Sequence, residues 1–298
     1  MWIRAREAEL IAVPYFHVVF TLPDKLHKLC LHHPKELCHL LFKTAWSVLN
    51  DFGSNPNFLG AHTGMIAILH TWGQNLSLHP HLHCIVPGGG ITKTGKWKYT
   101  KNKGKYLFPV KALSKVFRAR FVQGLRAAFD LPKTFYDTLF SKNWVVYAKR
   151  PFMGPSQVIE YLGRYTHKIA ISNHRIKGIN DNTISFSVKD YRHGDKKSVL
   201  KLSQHEFIRR FTMHILPRGF VRIRHYGILS SSTKKKVLPE IHQQLGKVQQ
   251  LRPKEPLKHN RCPVCKIGQL VTVHIFGSRG PPKHWLKKVY MQDKNPKS

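Results

Sequence analysis

Apolar positions along this chain follow two rhythms, one of period two and one helical. Residues 14–22 (Pro-Tyr-Phe-His-Val-Val-Phe-Thr-Leu) are β-branched and aromatic and stop at Pro23, which predicts a strand. From Asp24 to Phe52 the spacing turns helical. Leu37, Leu40, Leu41, Ala45, Val48 and Phe52 fall on one face, and Pro34 suits the first turn of the second part. Gly53 to Asn57 is a turn cluster. Strands follow near Gly64–Trp72 and His81–Val86, the latter closed by Gly88-Gly89-Gly90. Lys111–Phe129 reads as a helix and Asn143–Ala148 as a strand. Gly154-Pro155 opens a helix running to about Tyr165, with short strands near 169–189 and a helix over roughly 203–214. Beyond Ser230 the core-like pattern fades into a helix and a basic appendage. Strands mixed with helices predict an α+β fold, an antiparallel sheet with helices packed on it. The domains expected are a catalytic one over 1–230 and a basic segment over 231–298.

Charge changes the picture most. Fifty Lys and Arg face fifteen Asp and Glu, a formal +35, and residues 231–298 alone carry fifteen bases against three acids. Such self-repulsion is relieved by a polyanion through counterion release, so nucleic acid is the expected partner. No apolar run approaches the roughly 20 residues of a membrane span. The first ten residues are charged and lack the core of a secretory signal, so a soluble cytoplasmic protein is expected. Of five cysteines, Cys30 and Cys38 sit in an apolar helical pattern, and only Cys262 and Cys265 have ligand spacing.

Three motifs could carry chemistry. In Leu78-His79-Pro80-His81-Leu82-His83, strand alternation points His81 and His83 the same way, about 6.6–6.8 Å apart along the chain. Two imidazoles on one face can hold a divalent cation and leave positions open for phosphate oxygens; the alternative is chance alternation in a chain with twenty histidines. Gln74 is the first choice for a third ligand, His79 the second, and His70 comes behind both. In Glu160-Tyr161-Leu162-Gly163-Arg164-Tyr165-Thr166-His167-Lys168 the two tyrosines lie four apart, on adjacent turns of one helix face. A metal-polarised phosphate makes phenol attack feasible. Alternatively Tyr165 completes a buried stripe with Val158 and Leu162, while Tyr161 stands nearer Arg164 and Lys168. Cys262-Pro263-Val264-Cys265 followed by Gly268 has the shape of half a zinc knuckle, to which His259 or His274 could contribute. Arg209, Arg210, Arg218, Arg222 and Arg224, interleaved with Phe207, Phe211, Phe220 and Tyr226, suit backbone contacts and base stacking on single strands, or an ordinary solvated face.

Taken together, the run Thr71-Trp72-Gly73-Gln74-Asn75-Leu76-Ser77-Leu78-His79-Pro80-His81-Leu82-His83, the glycines after Pro87 and the Tyr161–Tyr165 motif resemble the two-tyrosine HUH transposases of the insertion-sequence-91 family. Stretches 14–23 and 216–227 are similar as well, and the resemblance covers about residues 7 to 246. It implies an HUH-nuclease-like central sheet with the tyrosine helix over the histidine strand. It also implies Mg²⁺ or Mn²⁺ at His81 and His83, and attack by Tyr161 or Tyr165 that links a 5′-phosphate to tyrosine and frees a 3′-hydroxyl. DNA would be met at element ends and target as single strands, with Arg164, Lys168, Arg218, Arg222 and Arg224 as contacts. The family's usual N-terminal cysteine-rich zinc-binding domain is expected to be missing here. Rival readings are a relaxase or replication initiator of the same chemistry, a non-catalytic basic DNA-binding protein, and a metal phosphoesterase using water.

Overall fold

The structure, a computed structural model, describes residues 9–104, 106–152, 157–158, 170–190, 196–246 and, near the C-terminus, 262, 264–265 and 267–268. Strand β1 (Tyr15–Thr21) leads through a 3₁₀ turn at Asp24–Leu26 into helix α1 (His27–His32), and Pro34 starts α2 (Pro34–Ser54). Then come β2 (Gly64–Trp72), β3 (Leu78–Pro87), the short pair β4 (Gly89–Ile91) and β5 (Trp97–Tyr99), α3 (Val110–Ala128), α4 (Lys133–Phe140) and β6 (Val146–Phe152). Beyond them lie β7 (Ile176–Ile179), β8 (Thr183–Asp190), β9 (Lys196–Ser203), α5 (Gln204–Thr212), β10 (Ile223–Gly227) and α6 (Lys234–Leu245).

Five strands form the central sheet in the order β10-β2-β3-β1-β6, every neighbouring pair antiparallel. Period two sorts their residues onto two faces. One face carries Phe16, Val18 and Phe20 of β1, Met65, Ala67 and Leu69 of β2, and Leu82, Cys84 and Val86 of β3, all in the main core. Against it lie the apolar stripes of α2 (Leu37, Leu41, Ala45, Val48) and α3 (Leu113, Phe117, Phe121, Leu125). The apolar spacing of both helices dictates this packing.

The opposite face is divided. Tyr15, Ile66, Ile68 and Ile85 build a second core with Leu238 and Ile241 of α6 and with Val158. The same face also carries His17 of β1, His70 of β2 and His81 and His83 of β3. Helix α6 supplies buried residues to this core, and the chain divides into two compact units, Met1–Gln250 and Leu251–Ser298. A three-stranded sheet, β7-β8-β9, packs with Phe207 and Phe211 of α5 around Phe186 and Leu76.

Several elements go beyond the sequence expectation: the β4–β5 hairpin, α4, β9, and the enrolment of the arginine-rich stretch near 223 as edge strand β10. Among the described residues no helix is long and apolar enough to cross a membrane.

Candidate metal centre

His81 and His83 project from β3 to the same face, and the sheet register supplies their neighbours. His83 lies opposite Ile68 of β2 and Val19 of β1, and His81 lies opposite His70 and Thr21. Residues directly opposite in an antiparallel pair share a face, so His70 joins the pair. Ligand atoms of His70, His81 and His83 all come within 4.8 Å of one another. Ring centroids are 4.2 Å apart for His70 and His83, 4.8 Å for His81 and His83, and 5.3 Å for His70 and His81.

The position of His70 depends on an irregularity. Trp72 pairs with Leu78, but the register shifts by one between Trp72 and His70, so His70 meets His81 instead of Pro80. A one-residue shift changes the face a side chain shares with its partner strand.

Hydrogen bonds orient two of these rings. His81 Nδ1 is 2.6 Å from the backbone carbonyl of His79, which can only accept, so Nδ1 carries the proton and Nε2 keeps its lone pair. His83 Nδ1 lies 2.6 Å from His17 Nε2, with the two rings stacked at 4.9 Å. His17, on β1 facing the same way, is a site residue the sequence reading passed over. Burial favours the neutral imidazole in all three. It pushes His81 down to about 4, a backbone bond from His79 opposing it and the neighbouring histidines adding to it. His70 and His83 are held well below the usual range by burial and then by adjacent imidazoles, Arg222 contributing at His70. Three neutral nitrogen donors in a compact group suit a divalent metal.

The proposed third ligands lie at the turn end of the β2–β3 pair, the His79 ring 5.1 Å from that of His81. Gln74 sits in the β2–β3 turn, where its backbone carbonyl accepts from the Arg175 guanidinium. His79 belongs to a second group with Asp24 and His27. Tyr161, Tyr165, Arg164 and Lys168 lie outside the described residues. Val158, three positions before Tyr161, is fully buried in the core on the histidine face, and Gln157 and Val158 are helical.

Among the arginines, Arg218 is exposed and lines an open hollow with Lys35, Phe220 and Arg224. Arg224 stacks its guanidinium 4.2 Å over Phe42 and donates to the Val221 carbonyl. Arg209 and Arg210 both pair with Glu206, whose carboxyl their hydrogen bonds hold down at about 2. The interleaved aromatics turn inward: Phe207 packs on Phe186 and Phe211, and Tyr226 stacks on Trp46. Phe207 and Phe211, four apart, share one face of helix α5, and alternation along edge strand β10 turns Tyr226 inward. In the second unit, the Cys262 amide donates to the Gly268 carbonyl and the Gly268 amide to Cys265 Sγ. Backbone hydrogen bonds from Gly268 and then Ile267 lower the Cys265 thiol from its ordinary value, with the Cys262 side chain adding to them.

A family model described as "Putative transposase" matches residues 64–236, more than half of the chain. The chain belongs to this transposase family. The matched stretch holds His70, His81, His83, Tyr161 and Tyr165 and leaves out His17. A "Putative transposase y4qJ" of Sinorhizobium fredii is 41% identical over 316 residues, spanning 95% of this chain and 79% of that protein. The "Transposase for insertion sequence element IS801" of Pseudomonas savastanoi pv. phaseolicola is 27% identical over 256 residues. That alignment covers 82% of this chain and 61% of the relative. The transposase family and the antiparallel α+β fold therefore agree with the resemblance read from the motifs.

Proposed function

We propose that this transposase nicks and rejoins single-stranded DNA through 5′-phosphotyrosine intermediates, as rolling-circle transposition requires. The observation carrying this reading is the convergence of His70, His81 and His83 as neutral imidazoles on the sheet face whose core also holds Val158, three positions before Tyr161. His70 takes the third-ligand role in place of Gln74 or His79. A divalent ion held there, Mg²⁺ or Mn²⁺, supplies Lewis-acid polarisation of the scissile phosphate. His81 Nδ1–H donates to the His79 carbonyl, which aims its Nε2 lone pair, and His83 would present Nε2 to the metal in the tautomer whose Nδ1–H donates to His17 Nε2. The Tyr161 or Tyr165 phenol gives up its proton and its oxygen bonds to phosphorus. The bond to the 3′ oxygen breaks, and that oxygen takes up a proton as a free 3′-hydroxyl. Attack by a 3′-hydroxyl on the tyrosine ester reverses the step and restores the phenol. The second tyrosine allows a second cut before the first end is released.

Arg218, with Lys35 beside it, is proposed to hold the phosphate backbone, along with Arg164, Lys168 and Arg222; Arg224 is given a packing role as well. The family match favours transposition over plasmid relaxation or replication initiation, and nucleoid-associated action in the cytoplasm goes with it. A zinc ion at Cys262 and Cys265 is a separate proposal for the second unit.

The decisive experiment is denaturing-gel capture of labelled single-stranded DNA, drawn from the encoding element's ends, with Mn²⁺. A covalent adduct should form with the wild type and vanish in the Tyr161→Phe/Tyr165→Phe double variant. An adduct that survives in the double variant would overturn the assignment. Cleavage without any adduct would make water the nucleophile, and salt-sensitive binding alone would leave a basic DNA-binding protein.

A further inference from the structure

The histidine alternation of β3 continues one step past His81. His79 shares the face of His81, their rings 5.1 Å apart. Beyond it stands the chain that leaves β1: Leu22 donates its amide to the Pro80 carbonyl, 3.1 Å away, which sets the following turn beside the start of β3. Asp24 opens that turn and His27 follows three residues later, on the same side of the helical turn. The Asp24 carboxylate and the His27 and His79 rings bring ligand atoms within 4.8 Å of one another.

A second observation marks the group as more than a chance cluster. His27 Nε2 is buried from solvent and makes no hydrogen bond. The Asp24 carboxylate stands 3.7 Å from that nitrogen, too far for a hydrogen bond and compatible with an ion between them. A buried ring nitrogen without a hydrogen bond costs free energy, and in the tautomer that leaves Nε2 its lone pair a metal ion can meet it.

We propose that Asp24, His27 and His79 form a second divalent-metal site beside the first, with two nitrogens and one carboxylate oxygen as donors. That donor set suits Mn²⁺, Co²⁺ or Zn²⁺ rather than Ca²⁺. Three protein ligands leave positions open, and the Asp24 side chain, 88% exposed, brings the site to the surface, where a DNA phosphate oxygen can complete it. His79 ties the two sites together, since its ring serves one and its carbonyl orients His81 in the other. Asp24 and His27 lie outside the stretch matched by the family model.

The test is a Mn²⁺ titration of the full chain, followed by the electron-paramagnetic-resonance signal of free Mn²⁺, in a Cys262→Ser/Cys265→Ser background that removes thiolate binding. Two equivalents are expected, falling to one in His27→Gln and, separately, in Asp24→Asn. His83→Gln should remove the other equivalent and leave this one. Asp24 is exposed, so its variant keeps the fold, and far-UV circular dichroism checks His27→Gln. One equivalent in the starting protein, kept by both Asp24→Asn and His27→Gln and lost in His83→Gln, overturns this site while sparing the first. Absence of Mn²⁺ binding in every form overturns both.

Discussion

At the scale of single residues, the site depends on keeping imidazoles neutral. His81 is held near 4 in the fold by burial, against roughly 6.5 in an unfolded chain. Above about pH 6.5 neither state is protonated and the shift has no effect. Between 6.5 and 4 the unfolded chain binds a proton that the fold refuses, so stability falls with pH, and below 4 the loss levels off. In EDTA the urea midpoint should drop across that window by an amount on the order of 3 kcal/mol from His81 alone, with His70 and His83 adding in the same direction. His81→Gln should flatten the drop. An unchanged slope in that variant would place the proton uptake elsewhere. His17 acts through His83, so His17→Ala should weaken Mn²⁺ binding by about 10- to 100-fold without removing a ligand. His70→Ala should cost more than Gln74→Ala in the same titration; the reverse ranking would return the third position to glutamine.

The ranking of those two residues shows where sequence reading runs out. His81 and His83 are legible because alternation within one strand is a local property. His70 is not, since its place depends on β2 pairing with β3 and on a register shift of one residue between Trp72 and His70. Nothing local to either strand announces that shift, and a regular hairpin would set His70 against Pro80. His17 was missed for a related reason: only the β1–β3 register brings it to His83.

At the scale of elements, strongly patterned segments emerged where expected. β2 spans Gly64–Trp72, and the predicted Lys111–Phe129 helix appears as Val110–Ala128. Weakly patterned ones did not. β9 (Lys-Lys-Ser-Val-Leu-Lys-Leu-Ser) offers only Leu200 and Leu202 to its core, and its lysines hide the period. β10 reads only as a stretch rich in arginine and aromatics until its pairing with β2 is known. Its end depends on Gly227, whose φ of 59° and lack of a side chain let the Thr63 carbonyl and Trp46 close in. A Cβ built there would lie 2.1 Å from the Thr63 oxygen. Gly227→Ala should therefore lower stability by at least about 1 to 3 kcal/mol in urea unfolding, through strain and clash together. A variant as stable as the wild type would mean that β10 can leave the sheet edge without cost.

At the scale of the whole molecule, the net charge of +35 is a statement about partners, and the fold separates arginines engaged with other side chains from arginines that stay exposed. Arg224 is engaged over Phe42, and Arg209 and Arg210 share Glu206, so their charge is partly spent inside the protein. Arg218 and Lys35 line an open hollow on the surface. The two classes should respond differently to neutralisation. Arg218→Gln and Lys35→Gln should each weaken single-stranded DNA binding whatever the sequence, and each should reduce the slope of log affinity against log salt by roughly 0.7. Both should leave the urea midpoint within about 0.5 kcal/mol of the wild type. Arg224→Gln should instead lower stability by about 0.5 to 2 kcal/mol through the lost stacking on Phe42. Fluorescence anisotropy with a labelled oligonucleotide, repeated across salt concentrations and paired with urea titrations, separates the two effects. If Arg218→Gln leaves the salt slope intact, the hollow does not carry the backbone, and the DNA path must run over other basic residues of the chain.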